Sequence, residues 1–231
     1  MDDHQALADR LDSVDLDGCL RLLAEQFPHR VAFSTSMGPE DQVIADAIWR
    51  QNLDIRVFTL DTGRLFEETY ELIDRTRERY QRPIETYFPD ASRVQQLTTE
   101  KGLHSFYRSV SDRQECCGIR KVEPLGRALA GAAVWITGLR AEQSAHRRDT
   151  PLAAWDSEHA LLKVNPVLRW NDGEVQAYLT RYDVPVSTLH ARGFASIGCA
   201  PCTRAIGPHE LPRDGRWWWE ASAKECGLHR S

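Results

Sequence analysis

Apolar positions in the first two-thirds of the chain recur with two periods. Short runs rich in β-branched and aromatic residues predict strands: RVAFST at 30–35, IRVFTL at 55–60, IETYF at 84–88 and AVWIT at 133–137. Between them the apolar residues return every three or four positions. That spacing predicts helices over DQVIADAIWRQ, near FEETYELIDRTRERY, at about 91–101, and over IRKVEPLGRALA. LLKVNPV predicts a fifth strand. The helix after it carries EVQAYLTRY and is expected to start at Asn171 or Asp172, each a good N-cap. Alternating strands and helices predict an α/β fold, a parallel sheet covered by helices on both faces. After about residue 187 the periodicity fades into Gly- and Pro-rich sequence, where loops organised by a metal are expected, and the end reads as a mobile tail. No internal repeat, low-complexity tract or interdomain linker stands out.

In such a sheet a ligand is expected beyond the carboxyl ends of the strands. The loops there are STSMGPE, DTGR and TGLRAEQS, all with small hydroxyl residues and glycine. Backbone N–H groups at the start of the helix after SMGPE can hold an anion, with Ser34, Thr35 and Ser36 adding hydroxyl donors. A Ser/Gly-rich turn with no ligand fits the loop equally well. It is neither a Walker loop nor a G-x-G-x-x-G turn. The longer run TGLRAEQSAHRR supplies Arg140, Arg147 and Arg148 beside glycine, and Lys121 follows a cysteine doublet. Any one of these is ordinarily a solvated charge; together they suggest a cationic pocket for a polyanion.

The composition changes the picture only modestly. A chain of 231 residues with 42% hydrophobic residues can bury a sizeable core. A net charge of −5 gives no reason to expect nucleic-acid binding. The N-terminal MDDHQALADRLDSVDLDG is acidic and shows no signal-peptide core, and no run reaches membrane-spanning length, so a soluble, cytoplasmic protein is expected.

Cysteine usage is more informative. Cys116 and Cys117 sit in ECCGIRKVEPL, Cys199 and Cys202 in IGCAPCT. In a reducing compartment, thiols serve metals or catalysis more often than disulfides. A C-x-x-C pair suits zinc, but adjacent cysteines diverge and reach one small ion poorly. An iron–sulfur cube offers a separate iron to each thiolate. A cluster, a zinc site and two unrelated buried pairs all stay open at this point. Cys19, in the apolar run CLRLLAEQF, reads as a core thiol. Cys226 lies in KECGLHRS with Lys224 and His229 close by, cations that favour a nucleophilic thiolate; an inert exposed thiol is the plainer alternative. Arg213 and Arg216 flank the turn at Asp214-Gly215. In the triplet Trp217-Trp218-Trp219 the three indoles cannot all point inward.

The runs FSTSMGPEDQV, LDTGR, ECCGIRKVEPL, ITGLRAEQS, IGCAPCTRAI, GRWWWE and KECGLH together resemble the assimilatory sulfonucleotide reductases, specifically the bacterial adenylyl-sulfate (APS) reductases. The resemblance spans residues 33 to 229. It implies an adenine-nucleotide α-hydrolase-like single domain, with an α/β nucleotide-binding body at 1–212 and a mobile catalytic tail at 213–231. It implies one 4Fe–4S cluster on Cys116, Cys117, Cys199 and Cys202. Relatives that use the 3′-phosphorylated substrate (PAPS) typically lack these four cysteines, so APS is favoured, with PAPS or dual specificity as the alternative. The implied reaction takes APS and reduced thioredoxin (or glutaredoxin) to sulfite and AMP through a Cys226 S-sulfo intermediate, with His229 assisting. Ser34, Ser36, Leu60, Gly138 and Arg140 would hold the AMP portion. Lys121, Arg148, Arg213 and Arg216 would mask the phosphosulfate charge, with Arg147 able to exchange roles with Arg148. Ser-Met-Gly stands where ATP-cleaving members of the fold prefer Ser-Gly-Gly, which argues against pyrophosphatase chemistry. An ATP-using adenylating enzyme and a non-enzymatic iron–sulfur or zinc module are the competing readings. Membrane and nucleic-acid partners are not expected, and homo-oligomerisation is left open.

Overall fold

The computed structural model describes residues 2–144 and 147–220. Two helices, α1 (Asp2–Asp12) and α2 (Leu16–Gln26), precede the first strand. Asp15 caps α2 by accepting the Gly18 N–H at 2.8 Å. Leu16, Cys19, Leu20 and Leu23 form its buried face, the spacing of one helical stripe. Cys19 is a core thiol as expected, its pKa pushed up to about 12 by burial and then by Asp15.

The α/β alternation follows the periodicity. It runs β1 (Val31–Thr35), α3 (Pro39–Arg50), β2 (Arg56–Leu60), α4 (Glu67–Tyr80), β3 (Glu85–Tyr87), α5 (Ala91–Lys101), α6 (Val110–Cys117), α7 (Glu123–Leu129), β4 (Val134–Ile136), β5 (Ala153–Asp156), β6 (Leu161–Val164) and α8 (Asp172–Arg181). The strands form one sheet in the order β3-β2-β1-β4-β6-β5. β1 is parallel to β2 and β4, with Phe33 opposite Val57 and Ile136. β4 is parallel to β6, and β5 returns antiparallel along β6. The sheet is therefore mostly parallel, as the alternation predicts. The edge strand β5 was not expected from sequence. Its residues are half-buried or exposed, so AAWD carries little apolar pattern.

The chain forms two compact units. The first gathers the described parts of Met1–Thr59, Thr69–Glu85 and Gly131–Ser187. Phe33, Ile44, Ile48, Leu20, Val134 and Val164 are completely buried in its core. At the start of α8, Asn171 accepts the Glu174 N–H at 3.0 Å while Glu174 accepts the Asn171 N–H at 2.8 Å. This reciprocal cap is the reason the helix starts where the sequence places it. The second unit gathers the described parts of Leu60–Glu68, Thr86–Ala130 and Thr188–Ser231. Its core is smaller: Leu97, Phe106, Cys116 and Ile119, with Val94, Cys202 and Trp219 packed on them. Each unit draws on separate stretches of chain, which is why no linker shows in the sequence. Among the described residues no helix is long and apolar enough to cross a membrane.

Candidate functional site

The second unit brings the four paired cysteines together. Ser109 caps α6 by accepting the Asp112 N–H at 3.0 Å, and Cys116 and Cys117 close that helix. The doublet thus lies on a helix, where neighbouring side chains diverge less than on a strand. A π-helical turn, Gly118–Val122, follows directly and carries Arg120 and Lys121. Such wide turns inside helices concentrate at functional sites. Cys199 and Cys202 flank a short turn, in which the Cys202 N–H bonds Cys199 O at 2.9 Å. The turn is pinned by the Ala200 N–H on Arg64 O at 2.8 Å, and by Thr203 Oγ1 on Cys199 O at 3.0 Å.

All four cysteines line one small cleft, together with Arg64, Phe106, Arg113, Arg120 and Lys121. Among the described residues none of the four is in a disulfide. Among the described residues, no three Cys, His, Asp or Glu side chains are grouped to hold a single metal ion. Burial opposes ionisation of Cys199. Lys121, a Thr62 Oγ1 contact at 3.2 Å, Arg216 and Arg120 outweigh it and hold this thiol below its usual value. Cys202 goes the other way, pushed up to about 12 by burial, then by Cys199 and Cys117. Burial likewise raises Cys116, against the pull of Arg120 and Arg64. Burial and the neighbouring thiols therefore oppose ionisation of Cys116 and Cys202, the cost that a bound cationic centre relieves. Around them Arg120 Nε, Arg216 Nε, Trp217 Nε1 and Trp219 Nε1 are buried with no hydrogen-bond partner among the described residues. Orphaned donors of this kind suit a group rich in sulfur acceptors. The residues present thus fit a thiolate-held cluster.

Residues 213–220 belong to the same unit. Arg216 pairs with Thr203 in an antiparallel bridge, and its guanidinium donates to Ile197 O at 3.1 Å. A side chain at position 198 would collide with that guanidinium, so Gly198 makes room for it. Trp217 is buried, Trp219 half-buried and Trp218 exposed, the divided orientation expected of three adjacent indoles. Trp217 adopts a left-handed φ of 42° and stacks against Arg113 and Arg216, each guanidinium 4.7 Å from its ring. Arg213 is half-buried. Cys226 and His229 lie outside the described residues.

The first unit carries the loop between β1 and α3. Gly38 stands at the N-cap position, where it offers no side-chain cap of its own, and Pro39 opens the helix. Ser36 donates from N and Oγ to Asp41 Oδ2 at 2.6 and 2.7 Å. Met37 takes a left-handed φ of 63°, its N–H held by Thr35 Oγ1 at 3.0 Å. Ser34 Oγ accepts from Trp135 Nε1 at 2.8 Å. A Cβ on Gly138 would collide with Asp41 Oδ1, so this glycine permits a close approach. Ser36 and Gly138 therefore meet through Asp41, which sequence reasoning did not single out. A carboxylate in the first turn of a helix reads as ordinary dipole complementation, and that hid it. Burial pushes its pKa up to about 6, against the Ser36 hydrogen bonds. Arg140 is buried and matched by Glu40 at 2.9 Å, Glu142 at 3.2 Å, Asp172 and Trp170 O at 3.0 Å. Leu60 ends β2, half-buried. Arg147 is half-buried and donates to Gln143, whereas Arg148 is exposed.

Residues 30–205 match the model of the phosphoadenosine phosphosulfate reductase domain. The chain belongs to this family. The family match contains the four clustered cysteines and ends at residue 205. An adenosine 5′-phosphosulfate reductase of Rhizobium meliloti (strain 1021) is 51% identical over 96% of this chain and 83% of its own length. One from Allochromatium vinosum is 51% identical over 87% of this chain and 78% of its own. Among solved structures, a phosphoadenylyl-sulfate reductase from Candida auris, in a phosphate complex, superposes with a TM-score of 0.73 at 26% identity, covering 87% of this chain and 95% of that one. The FMN adenylyltransferase of Candida glabrata shares the fold at a TM-score of 0.56 and 15% identity, covering 99% of this chain and 77% of that one.

Proposed function

We propose that this member of the phosphosulfate reductase family reduces adenosine 5′-phosphosulfate to sulfite and AMP with electrons from a dithiol protein of the thioredoxin or glutaredoxin type. One observation carries the reading: two cysteine pairs from distant segments line a single cleft with Lys121 and three arginines. Relatives near 50% identity named for this activity support it.

In the proposed mechanism the Cys226 thiolate attacks the sulfur of APS. The S–O bond to the phosphate breaks and AMP leaves, which forms Cys226 Sγ–SO₃⁻. A donor thiolate then attacks Sγ, and sulfite departs with the S–S bonding pair. The donor's second thiol resolves the mixed disulfide and returns Cys226 as a thiol. An anionic nucleophile approaching an anionic substrate needs fixed positive charge. Lys121, Arg148, Arg213 and Arg216 supply it in this reading, with Arg147 as the alternate for Arg148. Ser34, Ser36, Leu60, Gly138 and Arg140 shape the AMP site, and His229 helps place the thiolate. Residues 213–231 act as the catalytic tail on a 1–212 body. A 4Fe–4S cluster held by Cys116, Cys117, Cys199 and Cys202 would supply a rigid tie and a local field rather than electrons, since the donor thiols provide both. Lys121 sits in the wide turn next to Cys117, so its placement follows from that tie.

The reaction fits a cytoplasmic enzyme of sulfate assimilation. The test is sulfite release from APS and from PAPS, with thioredoxin, on protein of measured iron content. Release from APS by the iron-loaded form is expected. Release from PAPS alone would reverse the substrate assignment, and release from neither would overturn the reading.

A further inference from the structure

Arg113 is a fully buried arginine one turn before the cysteine doublet. Its Nε donates to Glu220 Oε1 at 2.6 Å, and the two side chains are 2% and 3% exposed. The same guanidinium hydrogen-bonds Cys117 and lies 4.7 Å from the Trp217 ring. The Trp217 N–H in turn bonds Cys202 O at 3.1 Å, and the Glu220 N–H bonds Trp217 O at 2.9 Å. Arg113 therefore joins both cysteine segments to the last described residue of the chain. Nothing in the reaction itself uses this ion pair. A buried pair is seldom a net source of stability, which directs attention to what it fixes in place.

We propose that Arg113 and Glu220 are a positioning pair that anchors the root of the tail and so sets the reach of Cys226. The proposal rests on the reading of Cys226 as nucleophile. Cys226 stands six positions after Glu220. An extended chain of that length spans at most about 20 Å, so a fixed Glu220 sets an upper limit on how far the thiol can stand from the anchor. Confinement raises the effective concentration of the nucleophile without adding any contact to the substrate. It also links nucleophile delivery to the cysteine cleft, because the anchor grows from the helix that carries the doublet.

The experiment uses the iron-loaded, full-length protein with Glu220→Gln and Glu220→Asp. Three quantities are read: iron content, equilibrium AMP binding, and the single-turnover rate at which Cys226 gains a sulfo group, followed by intact mass. Glu220→Gln is expected to keep iron and AMP affinity and to slow sulfonation roughly 10- to 100-fold. Glu220→Asp, which keeps the charge, is expected to recover part of that loss. Sulfonation of Glu220→Gln at the wild-type rate overturns the anchor. Parallel loss of iron, AMP binding and rate also overturns it, because the pair is then merely structural. Wild-type protein that makes sulfite with no adduct on Cys226 sinks the mechanism instead, so the two failures are distinguishable.

Discussion

Asp41 shows how one side chain can organise a loop that its sequence barely advertises. Its carboxylate collects both donors of Ser36 and presses on Gly138 in the same unit. Gly138→Ala should push Asp41 off Ser36 and cost about 1–3 kcal/mol of stability, read as a lower Tm, with weaker AMP binding. The acid form of Asp41 is favoured in the fold, where its pKa is about 6 against the ordinary 3.8. Its stabilising share is therefore full below 3.8 and lost as pH rises through 6. The difference corresponds to about 3 kcal/mol. Asp41→Asn cannot ionise, so urea denaturation should show a flatter pH dependence than wild type across this window; identical slopes would refute the assignment. The four cysteines were legible because their spacing is rare. Asp41 and Arg113 were not, because a carboxylate in a first helical turn and an arginine in SDRQECC look like solvated charges until burial is known.

At the scale of elements, strong periodicity made β1, α3, β2, α4 and α8 readable. Helix α6 was missed because VSDRQECC has almost no apolar stripe; its buried members are Arg113 and Cys116. The predicted helix over IRKVEPLGRALA is in fact a π turn running into α7, a change of pitch that leaves no mark on hydrophobic spacing. Ser109 bears the capping load for α6, so Ser109→Ala should lower stability by about 1 kcal/mol in chemical denaturation. Because α6 and the turn at Ala200–Cys202 both feed the cleft, Cys116→Ser and Cys199→Ser should each deplete iron. The visible absorption of the purified protein checks this: retention of the full wild-type spectrum in either variant would remove that residue from the ligand set.

For the whole molecule, the sequence predicted the α/β class and a mostly parallel sheet because those follow from local pattern. The two units were not legible, since each is stitched from segments that the fold, not the order of residues, brings together. Replacing Cys226 by Ser is expected to spare AMP binding while abolishing both the protein-bound sulfo group and sulfite release; labelled sulfur still retained by that variant would point to another nucleophile. Each unit carries an outward-facing tryptophan, Trp155 at 53% exposure in the first and Trp218 at 40% in the second. These two indoles make the chain its own pair of optical probes. Exchanging either for phenylalanine removes the exposed indole of that unit, so the acrylamide-quenchable emission that remains follows mainly the other.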